Sequence, residues 1–514
     1  MRYIEGKDRN QMMFTSLEIM IDQNNIVRLI DTVTEKFYQD NPELLKHPEK
    51  GNKDTGRKAY NPKSMMGLLV YGYFYGMASS RRIERATQYN VELMWLMKGL
   101  QPDHWTICTF RRENKAAFEL IIMMFRRFLV EHEYADPTKI VFDGSKMKAY
   151  ANKEMLTKEG ILKKLEDADV TIRDYLEQME QIDSAVDELE QAKSELADMR
   201  KDKECVDKDK QAAHEQTESL QKRKKILEKN IEKLERKQRK LKSANDVLEK
   251  TGNKRIAPND PEAVLVKSRD GKLAGYNIQT GVDEKGHFIL SSDVTTHAND
   301  QNLLNDNIDS VTKQTGQQPK ESTADKGYGI ANDILRAMKR GVECYVPIPA
   351  TQREKQAREG IVFIYDEEND TYTCSNGKTL TPFAKNNTHR DGFLYDRYKC
   401  YECAGCPLRD KCTTSKTGRM LIRKHNEKQV QEYKKSLKSN KAKEKISKRK
   451  GIVEHPYGTI KMLMGKFNFL LTGKEKIQIE IDLYSMVYNL KRVTNMEQVC
   501  LLINKVNNFS WKMA

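Results

Sequence analysis

The sequence has no long apolar run. Across 514 residues, no stretch approaches the ~18 consecutive apolar residues that a bilayer-spanning helix needs. The opening MRYIEGKDRNQ also lacks a signal-peptide core. A membrane or secreted protein is therefore not expected, and the location read from the sequence is cytoplasmic. Apolar residues make up only 38% against 32% charged, which suits globular parts carrying a long solvated helical element. Proline is missing between Glu154 and Thr251, where glycine occurs once, at Gly160. Without helix breakers that segment reads as long helix. Cysteine is sparse: nine in all, four of them crowded between 400 and 412. That distribution fits a reducing compartment, where thiols bind metal better than they form stable disulfides.

Positive charge is in excess. A formal net charge of +15 and a pI near 9.1 point to a polyanionic partner, of which nucleic acid is the commonest. The length suggests roughly three or four structural units.

Residues 1–130 read as a helical domain. Ile19, Ile26, Leu29 and Ile30 recur at helical spacing, and Asn61 with Pro62 makes an N-cap and first-turn pair before the apolar stretch Met65–Tyr75. The segments SSRRIERATQYN and PDHWTICTFRREN display Arg81, Arg82, Arg85, Arg111 and Arg112. Short helices presenting such cations suit a helix-turn-helix style DNA reader, and an ordinary bundle with a solvated basic face fits equally.

Residues 131–156 hold KIVFDGSKMKAY, a short β-branched and apolar run ending in Asp143 with Gly144 and Ser145 as a turn. Asp143 then lies at the mouth of a sheet, where α/β active sites form, or it caps the turn. Residues 157–252 form a coiled-coil hairpin insertion. Leu220, Leu227, Leu234, Leu241 and Leu248 keep a seven-residue spacing, as do Leu165, Ile172, Met179 and Val186, and the stretch 201–216 interrupts both. Residues 161–200 carry 5 basic and 12 acidic side chains and residues 221–250 carry 12 and 5. Opposite charges favour the two arms folding on each other.

Residues 253–349 change to strands: LAGYNIQTGVD and HFILSSDVT as a hairpin, a helix over HANDQNLLNDNIDSVTKQ, a strand ending in Asp325, the helix IANDILRAMKR and the strand VECYVPIP. This is a mixed α/β layer. Residues 350–446 interrupt it with C-x2-C-x2-C-x5-C, formed by Cys400, Cys403, Cys406 and Cys412, with Cys374 upstream. Four thiolates suit a structural Zn²⁺ site, with Cys374 able to replace one; an iron–sulfur cluster is the rival, with the fourth spacing wrong. Cys108, Cys205, Cys344 and Cys500 read as packing residues. Residues 421–450 hold 12 basic and 3 acidic side chains, a solvated face or lysine tail beside Glu454. Residues 447–514 are helical, with Glu454 near a helix start before Pro456. Three carboxylates brought together, Asp143, Asp325 and Glu454, could hold Mg²⁺ through hard oxygens and support in-line phosphoryl transfer.

The segments GRKAYNP, LLVYGYFYGMASSRRIER, PDHWTICTFRREN, VFDGSKMKA, DPEA, GYNIQTGVDE, DVTTHAND, ADKGYG, VEHPYGTIK and LYSMVYNLKR resemble, in order, those of DDE transposases of bacterial insertion sequences. The resemblance implies an RNase H-like mixed-sheet catalytic core behind an all-α domain. Asp143, Asp325 and Glu454 would be its Mg (or Mn) ligands, and Lys461 would contact transposon-end DNA. It also implies double-stranded DNA, both ends and target, as partner, and a homodimer. The expected activity is recognition of terminal inverted repeats, strand cleavage and joining of 3′ ends. A catalytically inactive DNA-binding descendant and a nuclease without strand transfer are the alternatives. Lys450, with Arg449 beside it, stands where the family often has Arg, and Ser447 where it has Tyr; the arm between the first two acids is longer than the family leads one to expect.

Overall fold

The computed structural model describes residues 15–46, 59–150, 155–198, 203–268, 271–388, 393–465 and 468–512. The opening MRYIEGKDRNQ, residues 56–58 of GRKAYNP, residues 201–202 of the heptad break and the surroundings of Cys205 lie outside the described residues. The chain divides into two compact units. One comprises Met1–Ser145, Asn277–Phe467 and Gln478–Ala514; the other comprises Lys146–Tyr276 and Asn468–Ile477.

In the first unit the N-terminal part is helical: α1 (Leu17–Met20), α2 (Ile26–Asp40), α3 (Pro62–Phe74), α4 (Ser80–Ala86), α5 (Val91–Met97), α6 (His104–Glu113) and α7 (Lys115–Glu131). The start of α3 follows the expectation, with the Asn61 side chain accepting from Lys63 N at 2.9 Å and Pro62 in the first turn. This helix is apolar on all sides and buried along nearly its whole length, so it forms the centre of the helical part. Helix α7 buries Phe118, Ile121, Ile122, Phe125 and Phe128.

The chain then continues through β1 (Lys139–Lys148), α8 (Lys158–Asp198), α9 (Lys203–Thr251), β2 (Val264–Ser268), β3 (Gly271–Asp283), β4 (Ile289–Thr295), α10 (Leu304–Thr315), β5 (Glu321–Thr323), α11 (Ala331–Lys339) and β6 (Glu343–Tyr345). In the first unit the strands run in the order β4, β3, β1, β5, β6. Strands β1, β5 and β6 are parallel, with Val141 opposite Thr323 and Thr323 opposite Tyr345. Strands β3 and β4 form the expected antiparallel hairpin, from Asn277 opposite Thr295 onward. The Asp283 carboxylate ties its turn, accepting from Gly286 N at 2.7 Å and Phe288 N at 2.6 Å.

One expectation is corrected here. Strand β1 does not end at Asp143, and Gly144 and Ser145 are strand residues. The extension has a partner far along the chain, with Ala149 N donating to Ala274 O at 3.1 Å. A local reading of turn-forming residues could not include that partner.

The second unit holds the two long helices. Lys158 pairs with Glu249 at 2.8 Å, Gln238 Nε2 donates to Asp169 Oδ1 at 2.6 Å, and Lys224 pairs with Asp183 at 2.5 Å. As the position along α8 rises, its partner on α9 falls by the same step, so the arms are antiparallel. Their base is a small core of Ile161, Leu241, Ala244, Leu248 and Ile256. Leu227 is also buried, while Leu220 and Leu234 are half-buried.

A second sheet in the first unit follows α12 (Gln352–Arg358): β7 (Phe363–Asp366), β8 (Thr371–Cys374), β9 (Thr379–Thr388), β10 (Leu394–Lys399) and β11 (Met420–Lys424), all antiparallel in sequence order. Helix α13 (Arg409–Cys412) lies in the cysteine-rich connection. After it come α14 (Glu427–Ser436), α15 (Asn440–Met464), α16 (Lys474–Thr494) and α17 (Val499–Asn508). The basic stretch 421–450 is thus strand and helix. Nor is Glu454 near a helix start: α15 begins at its cap Ser439 and carries Pro456 inside it. Pro456 removes the N–H that would bond the Ile452 carbonyl, but it is buried with Val453 and Tyr457, and packing on that face holds the helix. Among the described residues, no helix is long and apolar enough to cross a membrane.

Candidate active site

The parallel register of β1 and β5 brings two of the expected acids together. Its last pair is Val141 with Thr323; carried two residues further, it sets Asp143 beside Asp325. Asp325 caps a short 3₁₀ turn, Lys326–Tyr328, by accepting from Gly327 N at 2.7 Å. Burial pushes the Asp143 carboxyl up to about 6; Arg449 opposes that shift, and the neighbouring carboxylates of Asp325 and Asp300 add to it.

Asp300 was not anticipated. It lies in the loop before α10, and its Oδ1 accepts from Asn277 Nδ2 and Gln279 Nε2, each at 2.8 Å. Gln279 is held in turn by Tyr328, whose hydroxyl donates to its Oε1, and by Asn307 Nδ2 at 2.9 Å. A Cβ on Gly144 would come within 2.1 Å of Asp300 Oδ1 and 2.6 Å of Gln279 Nε2. A side chain at position 144 would therefore have to displace Asp300 and Gln279. The available sequence signal was an acid after an asparagine in HAND, but a loop has no periodicity to show where it points.

Helix α15 presents two different faces. Its inner face lays Arg449 on Asp143, with Nη1 3.0 Å from Oδ1. On the same face the Tyr457 hydroxyl donates to backbone oxygens of Asp143 (3.0 Å) and Ile278 (2.9 Å). One turn and two turns before Arg449, Lys445 pairs with Glu284 and Glu321, and Lys441 with Glu321 and Glu343. Part of the basic run is therefore consumed by acids at the sheet edge. Glu454 is on the other side. At about 100° per residue it sits roughly 140° around the helix from Arg449, and it is exposed, with Lys450 3.6 Å away. Lys461 follows along that outward stripe. Arg449 and Glu454 therefore cannot both face Asp143 in one orientation of α15.

Of the expected DNA contacts, Arg81 and Arg82 are exposed. Arg111 is buried instead: its Nη1 donates to Tyr73 OH at 2.9 Å and to Ala78 O at 3.2 Å, tying α6 to α3. The sequence could not separate it from its exposed neighbour Arg112.

Cys374, Cys400, Cys403, Cys406 and Cys412 line one pocket of the second sheet. Backbone N–H of Arg419 donates to Cys403 Sγ at 3.3 Å, and Asn376 Nδ2 donates to Cys406 Sγ at 3.5 Å. Burial raises Cys400 to about 11. Among the described residues, however, no group of three or more His, Cys, Asp or Glu side chains is placed to hold a metal ion, at the thiols or at the acids. The donors suit zinc and magnesium respectively by chemistry, while neither set is closed.

Two family models match the chain. Residues 15–113 match a transposase domain (DUF772), and residues 373–494 match a transposase DDE domain. The second match includes the clustered cysteines, Arg449, Glu454 and all of α16, but neither Asp143 nor Asp325. No curated protein and no solved structure matches the chain. Transposase domain models over both of these stretches support a DDE transposase of the insertion-sequence type.

Proposed function

We propose that this protein binds the terminal inverted repeats of its own element as double-stranded DNA, cleaves the strands and joins the 3′ ends to target DNA. The observation that carries the reading is the meeting of Asp143, on β1, with Asp325, just past the end of the parallel neighbour β5, backed by Asp300. An RNase H-like core is supported by the strand order β4, β3, β1, β5, β6, in which an antiparallel hairpin lies on one side of β1 and two strands parallel to β1 on the other. Asp143 and Asp325 would hold Mg²⁺ or Mn²⁺, and Glu454 would join them as the third acid once α15 turns its outward stripe toward Asp143. When bound, such ions activate the attacking oxygen and stabilise the leaving one in an in-line displacement.

The chain's own residues do the rest. Tyr457 fixes the Asp143 backbone, the Asn277 and Gln279 amides fix Asp300, and Arg449 balances the charge of Asp143. Glu454, Lys450 and Lys461 share the outward stripe of α15, where the lysines can meet phosphate. In this reading the cysteine pocket takes a structural Zn²⁺, supported by the thiol chemistry and the N–H donors to sulfur, and the chain acts as a homodimer.

The test is cleavage and joining of duplex DNA carrying the element's ends, with Mg²⁺ or Mn²⁺, alongside Mn²⁺ binding by calorimetry. Wild type should cut and join. Asp143→Asn, Asp325→Asn and Glu454→Gln should keep DNA binding and lose both reactions, the first two with weakened Mn²⁺ binding. Full activity in any of the three would refute the assignment of that acid. DNA binding without cleavage by wild type would favour the inactive descendant, a reading to which the outward position of Glu454 lends weight.

A further inference from the structure

The five-stranded sheet β7–β11 has one covered face and one open face, and its registers say which side chains share each. Tyr372 stands opposite Leu380, and Tyr398 opposite Leu421. These four, with Cys400, form a buried core. Alternation along the strands turns the intervening residues outward. Ile364, opposite Thr373, is 68% exposed, and Ile422, opposite Arg397, is 55% exposed. Between these edges lie Thr379, Thr381 and Lys399, with Lys424 at the end of β11.

The three cations of this face share one arrangement. Arg397 rests on the ring of Tyr395 at 5.4 Å, Lys399 on Tyr401 at 5.1 Å and Lys424 on Phe393 at 4.3 Å. None of them forms an ion pair among the described residues. Their counterparts on α15, Lys441, Lys445 and Arg449, are all neutralised by carboxylates. The acid at the far edge strand of the open face, Asp366, is taken up by its own turn, accepting from Glu368 N and from Asn369 N and Nδ2.

Ring contacts steer an ammonium or guanidinium group without cancelling its charge, so the charge is left for an external anion. Residues two apart on a strand are separated by roughly 6.6 Å, and diagonal neighbours on adjacent strands by about 7–8 Å. Duplex DNA carries one phosphate per about 3.4 Å of helix axis on each strand, so cations at these separations can reach different phosphates of one strand. The core of a protein interface is depleted of charge, whereas here the cations stand among the exposed isoleucines.

We infer that the open face of the β7–β11 sheet is a docking surface for the sugar-phosphate backbone of duplex DNA, with Arg397, Lys399 and Lys424 as its phosphate contacts. This rests on the DNA-binding reading above and adds to it a surface separate from the acids.

The test uses the full chain and a labelled duplex of about 30 base pairs, with affinity measured across a salt series. Each lost phosphate contact reduces the magnitude of the log K against log salt slope by about 0.9. Arg397→Gln, Lys399→Gln, Lys424→Gln together should therefore lower it by about 2.7, and Lys424→Gln alone by about 0.9. The charge-keeping set Arg397→Lys, Lys399→Arg, Lys424→Arg should keep the wild-type slope. A glutamine triple with an unchanged slope would overturn the inference. So would an equal fall from replacing Lys225, Lys229 and Lys233 on α9. An unchanged slope with a changed mass in solution would make the face a contact between copies of the chain, which also overturns it. If wild type binds and the triple binds alike, only this surface fails; if wild type does not bind, the DNA-binding reading fails with it.

Discussion

Replacing Arg126 with methionine should loosen the connection between the N-terminal helices and the catalytic part of the first unit. Arg126 projects from α7 and is 1% exposed. Its Nη2 donates to Ser292 Oγ on β4 at 2.6 Å and to Ser485 Oγ on α16 at 3.1 Å, and lies 3.7 Å from Asp482 Oδ1. Asp482 also accepts from Ser292 Oγ at 2.8 Å and Gln478 Nε2 at 3.1 Å. Methionine fills most of the volume, so the dominant cost is the carboxylate left buried without its cation, about 3–5 kcal/mol. At about 2.1 cal/mol/K per residue, that is a fall in Tm of roughly 4–6 °C for a unit of this size. Among the described residues, Arg126 Nε and Nη1 have no hydrogen-bond partner, so the arginine itself carries a desolvation cost. Arg126→Met with Asp482→Leu should therefore recover most of the loss.

The pH dependence has a definite sign. Burial holds the Asp482 carboxyl above the ordinary carboxylate range, while Arg126 pulls it down. A raised carboxyl contributes stability that is present below its unfolded value and lost as pH rises through its folded value. Without Arg126 it rises further, so the deficit of the single variant should shrink as pH falls from about 7.5 to 5. Thermal and urea unfolding at both pH values measure it. A single variant costing under about 1 kcal/mol at neutral pH, or a double variant no better than the single, would refute the reasoning.

Gly144→Ala should abolish cleavage with little loss of DNA binding, because the new methyl group would displace Asp300 and Gln279; retained activity would remove Asp300 from the site. Leu241→Ala should cost about 2–5 kcal/mol, seen as earlier loss of helical circular dichroism, since it empties the base of the helix pair. Deleting residues 160–250 tests assembly: mass in solution should fall from dimer to monomer if the arms mediate it, and an unchanged dimer would remove them from that role. Purified protein should contain zinc, and Cys403→Ser with Cys406→Ser should lose it; metal content unaffected by the pair would count against the thiol pocket as the site.

Much of the fold was legible because it rests on local chemistry. The Asn61–Pro62 helix start, the β3–β4 hairpin with glycine at its turn, and the leucine repeat with opposite charge on its two arms all declare themselves within a few residues of sequence. The boundary of β1 was not legible, because the strand that extends it lies more than a hundred residues away. The interior of α15 was misread for a related reason. Pro456 looks like a helix start by propensity, yet the packing of Val453, Pro456 and Tyr457 carries the helix through it.

At the site, the residue types were available and their orientation was not. The sequence by itself determined that Asp143 and Asp325 belong to strand segments of a mixed layer, that the chain is basic, and that thiols cluster after residue 373. Only tertiary structure decided that those strands are parallel neighbours, which makes the two acids adjacent. It also brought in Asp300 from a loop, spent Arg449 on Asp143, buried Arg111, and turned Glu454 toward solvent. The physical reason is that sequence spacing fixes which side chains share a helix face or a strand face, whereas which face meets which is settled by burial and charge pairing between segments far apart in the chain.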